Sequence, residues 1–215
     1  MEFVAATNNR HKLDELTRLL TPAGHTVVSM ASVGVEVTPN ETGETFAENA
    51  RIKAEAVCRR AGVPALADDS GLRVEALGGD PGVRSARFAG FDASDEENCK
   101  KLMHLLERYP YAKRGASFHC ALALAMPDGR VLTTEGECAG RIGLVASGSS
   151  GFGYDPLFYV GNVSFADMED AEKDAVSHRA MAVKNLLAEL PGFLGAKGAA
   201  PAQPSAPPAE PAPGE

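Results

Sequence analysis

The chain has 215 residues, 44% of them hydrophobic, and 21 basic against 29 acidic side chains give a net charge of −8 at pH 7. This length predicts one domain or one domain with two lobes, and an acidic chain is a poor general binder of nucleic acid or of anionic membranes. No apolar run is long enough to span a bilayer, and the first residues turn polar too early for a signal peptide, so we expect a cytoplasmic location without a membrane partner.

The first predicted elements are a buried strand at 3–6, a polar turn and a helix. Leucines at positions 13, 16, 19 and 20 recur at helical spacing. The turn and the first helical residues read Thr7, Asn8, Asn9, Arg10, His11 and Lys12. A helix N-terminus with such donors favours phosphate binding, whereas an ordinary N-cap turn also explains the Asn and Thr residues. Positive side chains in the first turn of the helix oppose the helix dipole. An ordinary N-cap turn does not explain their presence there.

A second strand is predicted at 25–30, followed by a loop at 38–43 and a helix that ends near Gly62. Thr45 and Glu48 form a capping box at the start of this helix, so we expect Glu48 to be structural. Glu41 lies in the preceding loop and is free to reach a metal ion. A solvated glutamate is the commoner case for a loop, and both interpretations stay open.

The stretch at 64–72 begins apolar and ends in two adjacent carboxylates, Asp68 and Asp69, then Ser70 and Gly71. It predicts a buried strand that presents charge at its tip, with the two carboxylates pointing to opposite sides. We expect Gly71 to permit a turn after the strand. Oxygen ligands at a strand end suit Mg²⁺, although a plain Asp-Asp-Ser-Gly turn is the alternative.

The middle of the chain predicts a strand at 72–77, a turn at 78–82, a helix and a β-hairpin. Ser94 and Glu97 form the capping box of the helix. The hairpin strands at 116–126 and 130–139 flank a Pro-Asp-Gly turn. His119, inside the first strand, is expected to be packed or hydrogen-bonded. The four cysteines are widely spaced without a CxxC pair, which predicts reduced thiols.

A glycine-rich stretch at 148–156 holds Phe152, Gly153, Tyr154 and Asp155, and an apolar strand at 157–160 follows it. Glycines beside an aromatic residue let the backbone approach a ligand closely. Phe152 or Tyr154 would then stack on a planar base, and Asp155 would accept a hydrogen bond from it. A surface loop whose aromatic residues fold into the core is the alternative.

The last predicted helix begins at Ser177, a good N-cap, after an acidic segment that contains Lys173. His178 and Arg179 place positive charge at the unfavourable end of the helix dipole, as is expected at a functional site. From residue 195 onward the chain is rich in Ala and Pro without apolar periodicity. We expect a folded domain over 1–194 and a disordered tail over 195–215.

Together these stretches resemble the inosine triphosphate pyrophosphatase family, which hydrolyses non-canonical purine nucleoside triphosphates. The matching motifs are TNNRHK at 7–12, ETG and TF-ENA at 41–50, ADDSGL at 67–72, GG-PG at 78–82, FGYDP at 152–156 and SHR at 177–179. They occur in the family order over residues 1 to about 192. Asn8 stands where bacterial members often have glycine, and the Pro-rich tail is not part of the family pattern.

The resemblance implies a two-lobed α/β fold, with a long central mixed β-sheet flanked by helices, a substrate cleft between the lobes, and a homodimer. It implies that residues 7–12 bind the triphosphate with help from Lys173, and that Asp69 binds Mg²⁺ and accepts a proton. Ser70 would touch the substrate, and Glu41 would be a second metal-site carboxylate. The purine would be held by residues 152–155, His178 and Arg179.

The implied reaction releases a nucleoside monophosphate and pyrophosphate after water attacks the α-phosphorus. Mg²⁺ and lysines would allow an acidic protein to bind a polyanion. Donors that pair with the 6-oxo group of hypoxanthine or xanthine would reject adenine. Two alternatives stay open: a pyrophosphatase for modified pyrimidine triphosphates, and a nucleotide-binding module without catalysis.

Overall fold

A computed structural model describes residues 1–196. The chain forms a mixed seven-stranded sheet flanked by helices, as the α/β prediction requires. The strands are β1 Glu2–Ala5, β2 Thr26–Ser29, β3 Ala65–Val74, β4 Gly115–Ala125, β5 Val131–Ile142, β6 Phe158–Val160 and β7 Val163–Ser164. The helices are α1 Arg10–Leu20, α2 Phe46–Ala61, α3 Asp95–Leu106, α4 Asp170–Val176 and α5 His178–Gly195.

The sheet order is β2-β1-β3-β4-β5-β6-β7. β1 runs parallel to both of its neighbours, and every later pair is antiparallel. The hairpin predicted from the Pro-Asp-Gly turn is present as β4 and β5. It lies at the centre of the sheet. The capping boxes predicted for α2 and α3 are both present.

Two layers of helices cover the first part of the sheet. α2 packs on one face against small side chains that include Ala67 and Ala123. α1 and α5 pack on the other face against larger ones that include Leu66 and Leu122. A separate apolar cluster around α3 joins Leu102, Phe118 and Phe158 and forms a second lobe at the far end of the sheet. The two lobes meet at the middle of β3.

The prediction that β3 ends after its carboxylates is wrong. β4 pairs with β3 at every position from Ala65 to Val74, so the strand continues through Asp68 and Asp69. Gly71 lies inside the strand and makes no turn. A Cβ atom there would lie 2.4 Å from Ser85 Oγ and 2.6 Å from the Gly82 carbonyl oxygen. Glycine is therefore required because the segment Gly82–Arg87 packs directly on the strand.

Other sequence expectations have mixed outcomes. All four cysteines are free thiols, as expected. His119 is hydrogen-bonded, with Nε2 at 2.8 Å from Ser117 Oγ. The segment 75–77, predicted as strand, is a turn of 3-10 helix. α5 extends through Gly195, and the rest of the predicted tail, from 197, lies outside the described residues. None of the helices in residues 1–196 is long and apolar enough to cross a membrane.

Candidate active site

A cleft opens where β1 stops short of its neighbour β3. β1 pairs with β3 only at Val4–Ala65 and Ala5–Leu66. Beyond these pairs the edge of β3 faces a cavity, which is closed by the turn at 7–9, the loop at 37–41 and the segment Gly82–Arg87. The cavity therefore reaches side chains from both faces of β3, and both Asp68 and Asp69 line it.

Asp68 is buried and surrounded by donors. Its Oδ1 lies 2.5 Å from Lys12 Nζ and 2.9 Å from Ser70 Oγ. Its Oδ2 lies 2.8 Å from Arg179 Nε and 3.0 Å from the sulfur of Cys120. Burial alone would raise the pKa of Asp68, but the charges of Arg179 and Lys12 hold it well below its usual range. Asp68 is thus a permanent carboxylate that fixes its cationic neighbours.

Asp69 projects from the opposite face and has a different environment. Its Oδ1 accepts a hydrogen bond from Lys53 Nζ at 2.7 Å, and the same ammonium lies 3.3 Å from Glu41 Oε2. Burial raises the pKa of Asp69 to about 6 despite the charges of Lys53 and Lys12, and the negative charge of Glu41 adds to the rise. A carboxylate with such a pKa can accept a proton near neutral pH.

The donor set at this end of the cleft suits a hard divalent cation. Within residues 1–196, no three His, Cys, Asp or Glu side chains form a metal-binding cluster. Mg²⁺ does not need one, because it commonly binds through one or two carboxylates and completes its coordination with water and substrate phosphate. Asp69 and Glu41 both line the cavity. A metal cation bound beside them would lower the raised pKa of Asp69.

A chain of buried ion pairs runs from this cleft into the second lobe. Glu15 on α1 contacts the guanidinium of Arg179 and lies 2.9 Å from Lys173 Nζ. Lys173 Nζ lies in turn 2.8 Å from Asp155 Oδ2. Although burial raises the pKa of Glu15, the charges of Arg179 and Lys173 bring it below its usual value. The charge of Arg179 at the start of α5, unfavourable for the helix dipole, is thus compensated by the carboxylates of Glu15 and Asp68.

An aromatic pocket adjoins the carboxylate cleft and shares Asn9, Lys12 and Ser70 with it. Its walls include Phe152 and His178. The His178 ring stacks on Phe118 with centroids 4.8 Å apart, and its Nδ1 has no hydrogen-bond partner among the described residues. Burial and the charge of Arg179 hold the pKa of His178 well below its usual value, so the ring is neutral at pH 7.

The structure brings most of the predicted site residues to these two pockets. Thr7, Asn8, Asn9, Lys12, Glu41, Asp69 and Ser70 line the carboxylate cleft. Phe152, Gly153, Tyr154, Asp155, Lys173, His178 and Arg179 line the aromatic pocket. Arg10 and His11 line neither pocket. The Arg10 side chain is 88% exposed and pairs with Asp14, whereas the His11 ring stacks on Phe152.

Some predicted contacts take another form in the structure. Tyr154 is buried, and its hydroxyl donates to the carbonyl of Ser85 at 2.9 Å, so its ring belongs to the core of the second lobe. Lys173 lies beside Phe152, its ammonium 5.2 Å from the ring centroid. Asn9 is the N-cap of α1, its Oδ1 accepting from the backbone of Lys12 at 3.3 Å. Capping uses only the side-chain oxygen of Asn9 and not its amide nitrogen, and the residue still lines the cavity.

Sequence reasoning missed Lys53 and Glu15. Lys53 lies on α2 between Ala50 and Ala54, two members of the apolar stripe, and a lysine so close to that stripe was an available signal. Glu15 is next to Leu16 on α1, and both residues are buried. A buried charge requires a partner of opposite sign. The local sequence does not identify that partner, because each one lies at least 12 residues away.

Comparison with known proteins gives one consistent result. A model of the Ham1 family matches residues 3–189. The dITP/XTP pyrophosphatase of Desulforamulus reducens is 48% identical over 189 residues, which cover 87% of this chain and 94% of that protein. The dITP/XTP pyrophosphatase of Yersinia pseudotuberculosis is 47% identical over 193 residues, covering 88% and 98%.

Solved structures agree with the sequence comparison. The HAM1 protein of Coxiella burnetii superposes with a TM-score of 0.79 at 41% identity and covers 89% of this chain and 99% of its own. The Ham1 protein of Staphylococcus aureus gives a TM-score of 0.78 at 36% identity, with the same coverage. The resemblance predicted from the six motifs is therefore confirmed.

Proposed function

Because this chain belongs to the Ham1 family, we propose that it hydrolyses non-canonical purine nucleoside triphosphates, dITP or ITP and dXTP or XTP, to the monophosphate and pyrophosphate. Its relatives named dITP/XTP pyrophosphatase match most of its length at 43–48% identity. The activity would remove these nucleotides from the pool before they are incorporated into DNA or RNA.

The observation that carries this proposal is the direct junction of the two pockets. The carboxylate cleft offers lysines and amide donors for phosphate oxygens. The adjoining pocket has an aromatic wall for a planar base. Since Asn9, Lys12 and Ser70 border both, one nucleotide can place its base in one pocket and its phosphates in the other.

In the proposed reaction Asp69 is the proton acceptor. A water molecule beside its carboxylate attacks the α-phosphorus, its oxygen forms the new P–O bond, and the bond to the bridging oxygen breaks to release pyrophosphate. Asp69 takes the proton of the water, for which its pKa of about 6 is suited. Lys12 and Lys53 stabilise the charge that develops on the phosphate oxygens.

We place Mg²⁺ at Asp69 and Glu41, where the two carboxylates face the cavity. When bound, the ion would neutralise charge on the phosphates and on the leaving pyrophosphate. The hydrogen bonds that Lys53 makes to both carboxylates hold them in position in the structure. Thr7, Asn8 and Asn9 add neutral donors along the same wall, and Ser70 stands at the junction.

Base selection is assigned to the aromatic pocket. The neutral His178 ring lines it and can donate to the 6-oxo group of hypoxanthine or xanthine, while the Arg179 guanidinium beside it is held by Glu15, Asp68 and Ser70. Adenine carries a donor amine at that position and would leave the buried donor unpaired. Phe152 supplies the stacking surface, and Asp155 is fixed by Lys173.

Three further features belong to the proposal. A homodimer is implied by the family resemblance, and light scattering coupled to gel filtration would test it. The cytoplasm is the expected location because the nucleotide pool is there. Small nucleotides are the expected partners, since the net charge of −8 disfavours nucleic acid.

A panel of triphosphates tests the function. Pyrophosphate release would be measured for dITP, XTP, dATP, dGTP and a methylated pyrimidine triphosphate, with Mg²⁺ and with EDTA. The proposal predicts magnesium-dependent release that strongly favours dITP and XTP. Preference for the pyrimidine would instead support the alternative pyrophosphatase, and tight binding without release would support a non-catalytic nucleotide-binding module.

A further inference from the structure

His11 contacts the aromatic pocket from outside. Its imidazole is stacked on the ring of Phe152, with centroids 5.3 Å apart and planes 10° from parallel. Phe152 lines the pocket and His11 does not. Lys173 and Arg179, which do line the pocket, also lie over the Phe152 ring, at 5.2 Å and 5.8 Å from its centroid. The imidazole therefore stacks on a ring of the pocket wall without itself lining the pocket.

The first turn of α1 thus connects the two halves of the site. Asn9 caps the helix and lines both pockets, Lys12 pairs with Asp68, and His11 between them reaches the loop of the second lobe. Next to the Phe152 ring, the backbone of that loop is also held by hydrogen bonds. The N–H of Gly153 donates to Asp95 Oδ2 at 2.6 Å, and the N–H of Phe152 donates to Asp155 Oδ2 at 3.0 Å.

We infer that His11 is a positioning residue that braces Phe152 as the stacking wall for the substrate base, and that it is not a triphosphate ligand. This inference rests on the proposed function, since it names how the base platform of that site is held. Aromatic contacts of this kind are directional, and a ring fixed before binding loses less conformational entropy when a base stacks on it. The brace should act on base affinity and leave the chemical step unchanged.

Two substitutions separate bracing from phosphate binding. His11→Phe keeps a ring and removes every hydrogen-bond donor, whereas His11→Lys keeps a donor and removes the ring. His11→Ala removes both, and Asp14→Ala is the matched control because Asp14 is exposed on the same helix and lines neither pocket. Steady-state kinetics with dITP would give KM and kcat for each variant. Calorimetry would give the affinity for inosine monophosphate and, separately, for inorganic tripolyphosphate.

If His11 braces Phe152, His11→Ala and His11→Lys should each raise KM and weaken the binding of inosine monophosphate. Both effects should be about 2- to 12-fold, as expected for the loss of one aromatic pair. His11→Phe should behave like the wild type, kcat should stay unchanged, and tripolyphosphate affinity should not move. The inference is overturned if His11→Lys retains wild-type values while His11→Phe loses them, if tripolyphosphate binding falls, or if all variants match Asp14→Ala.

The proposed function and the proposed role of His11 would be refuted by different results. A wild-type protein that hydrolyses neither dITP nor XTP would refute the proposed function. The binding measurements with inosine monophosphate would still decide whether the His11 ring supports a base-stacking wall. Conversely, active enzyme whose His11→Ala variant binds inosine monophosphate normally would leave the function intact and remove His11 from this role.

Discussion

Asp68 and Asp69 are adjacent on β3, but their carboxylates project from opposite faces of the sheet and, within residues 1–196, contact no residue in common. Asp68 contacts Lys12 on α1 and Arg179 on α5, whereas Asp69 contacts Lys53 on α2. One carboxylate is held ionised by a buried network, and the other has a pKa raised to about 6. Two neighbouring aspartates therefore have different expected roles, which mutation can separate.

Asp69→Asn should abolish most of the turnover and leave the fold intact. The amide cannot accept the proton of the attacking water, and it is a poorer metal ligand. Loss of such a group costs about 100-fold or more in rate. The measurement is kcat for dITP together with the melting temperature. A folded Asp69→Asn protein that keeps near-wild-type turnover would remove Asp69 from its assigned role.

Asp68→Asn should instead destabilise the protein. The change leaves Lys12 and the fully buried Arg179 without one of their carboxylates, and breaking a buried ion pair from one side costs about 3–5 kcal/mol. Urea denaturation would give the free energy of unfolding, with Asp69→Asn as the matched control. An effect on stability no larger than that of Asp69→Asn would contradict the structural assignment of Asp68.

The pH dependence of kcat/KM should have an acid limb near the pKa of Asp69. Because Asp69 is active as a carboxylate, the rate should rise with pH as it ionises; burial raises its pKa to about 6, and Mg²⁺ bound in the assay should bring the limb below that value. Lys53→Met removes a positive charge that lowers this pKa, so the limb should move to higher pH. Lys184→Met, an exposed substitution on α5, is the control. An unchanged limb in Lys53→Met would assign it to another group.

His178→Phe should weaken base discrimination. The substitution retains a ring that can stack on Phe118 and removes both ring nitrogens. We expect kcat/KM to fall about 5- to 150-fold for dITP and XTP, the cost of leaving one buried polar group unpaired, and much less for dATP. Equal losses for all substrates would show that His178 does not read the base.

Arg179→Ala is expected to act differently from what the sequence indicates. The motif SHR favours a role in base selection for both residues, but Arg179 is fully buried and contacts Glu15, Asp68 and Ser70. Its removal would take away the cation that Glu15 and Asp68 share and leave each buried carboxylate with a single lysine partner, so the melting temperature should fall together with activity. A variant that loses discrimination at unchanged melting temperature would restore the simpler interpretation.

Local sequence patterns predicted the helices well because the interactions that fix where a helix begins are local. The capping boxes at Thr45 and Ser94 bring together residues only three positions apart, and both are present. The course of β3 past Asp69 could not be predicted, since it depends on pairing with β4 about 50 residues later. Lys53 and Glu15 were missed for the same reason, because their partners come close only after folding.

The buried network around Arg179 is balanced in charge. It joins three cations and three carboxylates, namely Lys12, Lys173, Arg179, Glu15, Asp68 and Asp155. Dissolved salt screens exposed charges over about 10 Å at 0.1 M and acts weakly on buried, neutralised ones. Rising ionic strength should therefore weaken capture of the triphosphate for every nucleotide alike. The preference for one base over another should remain constant across the same range of salt.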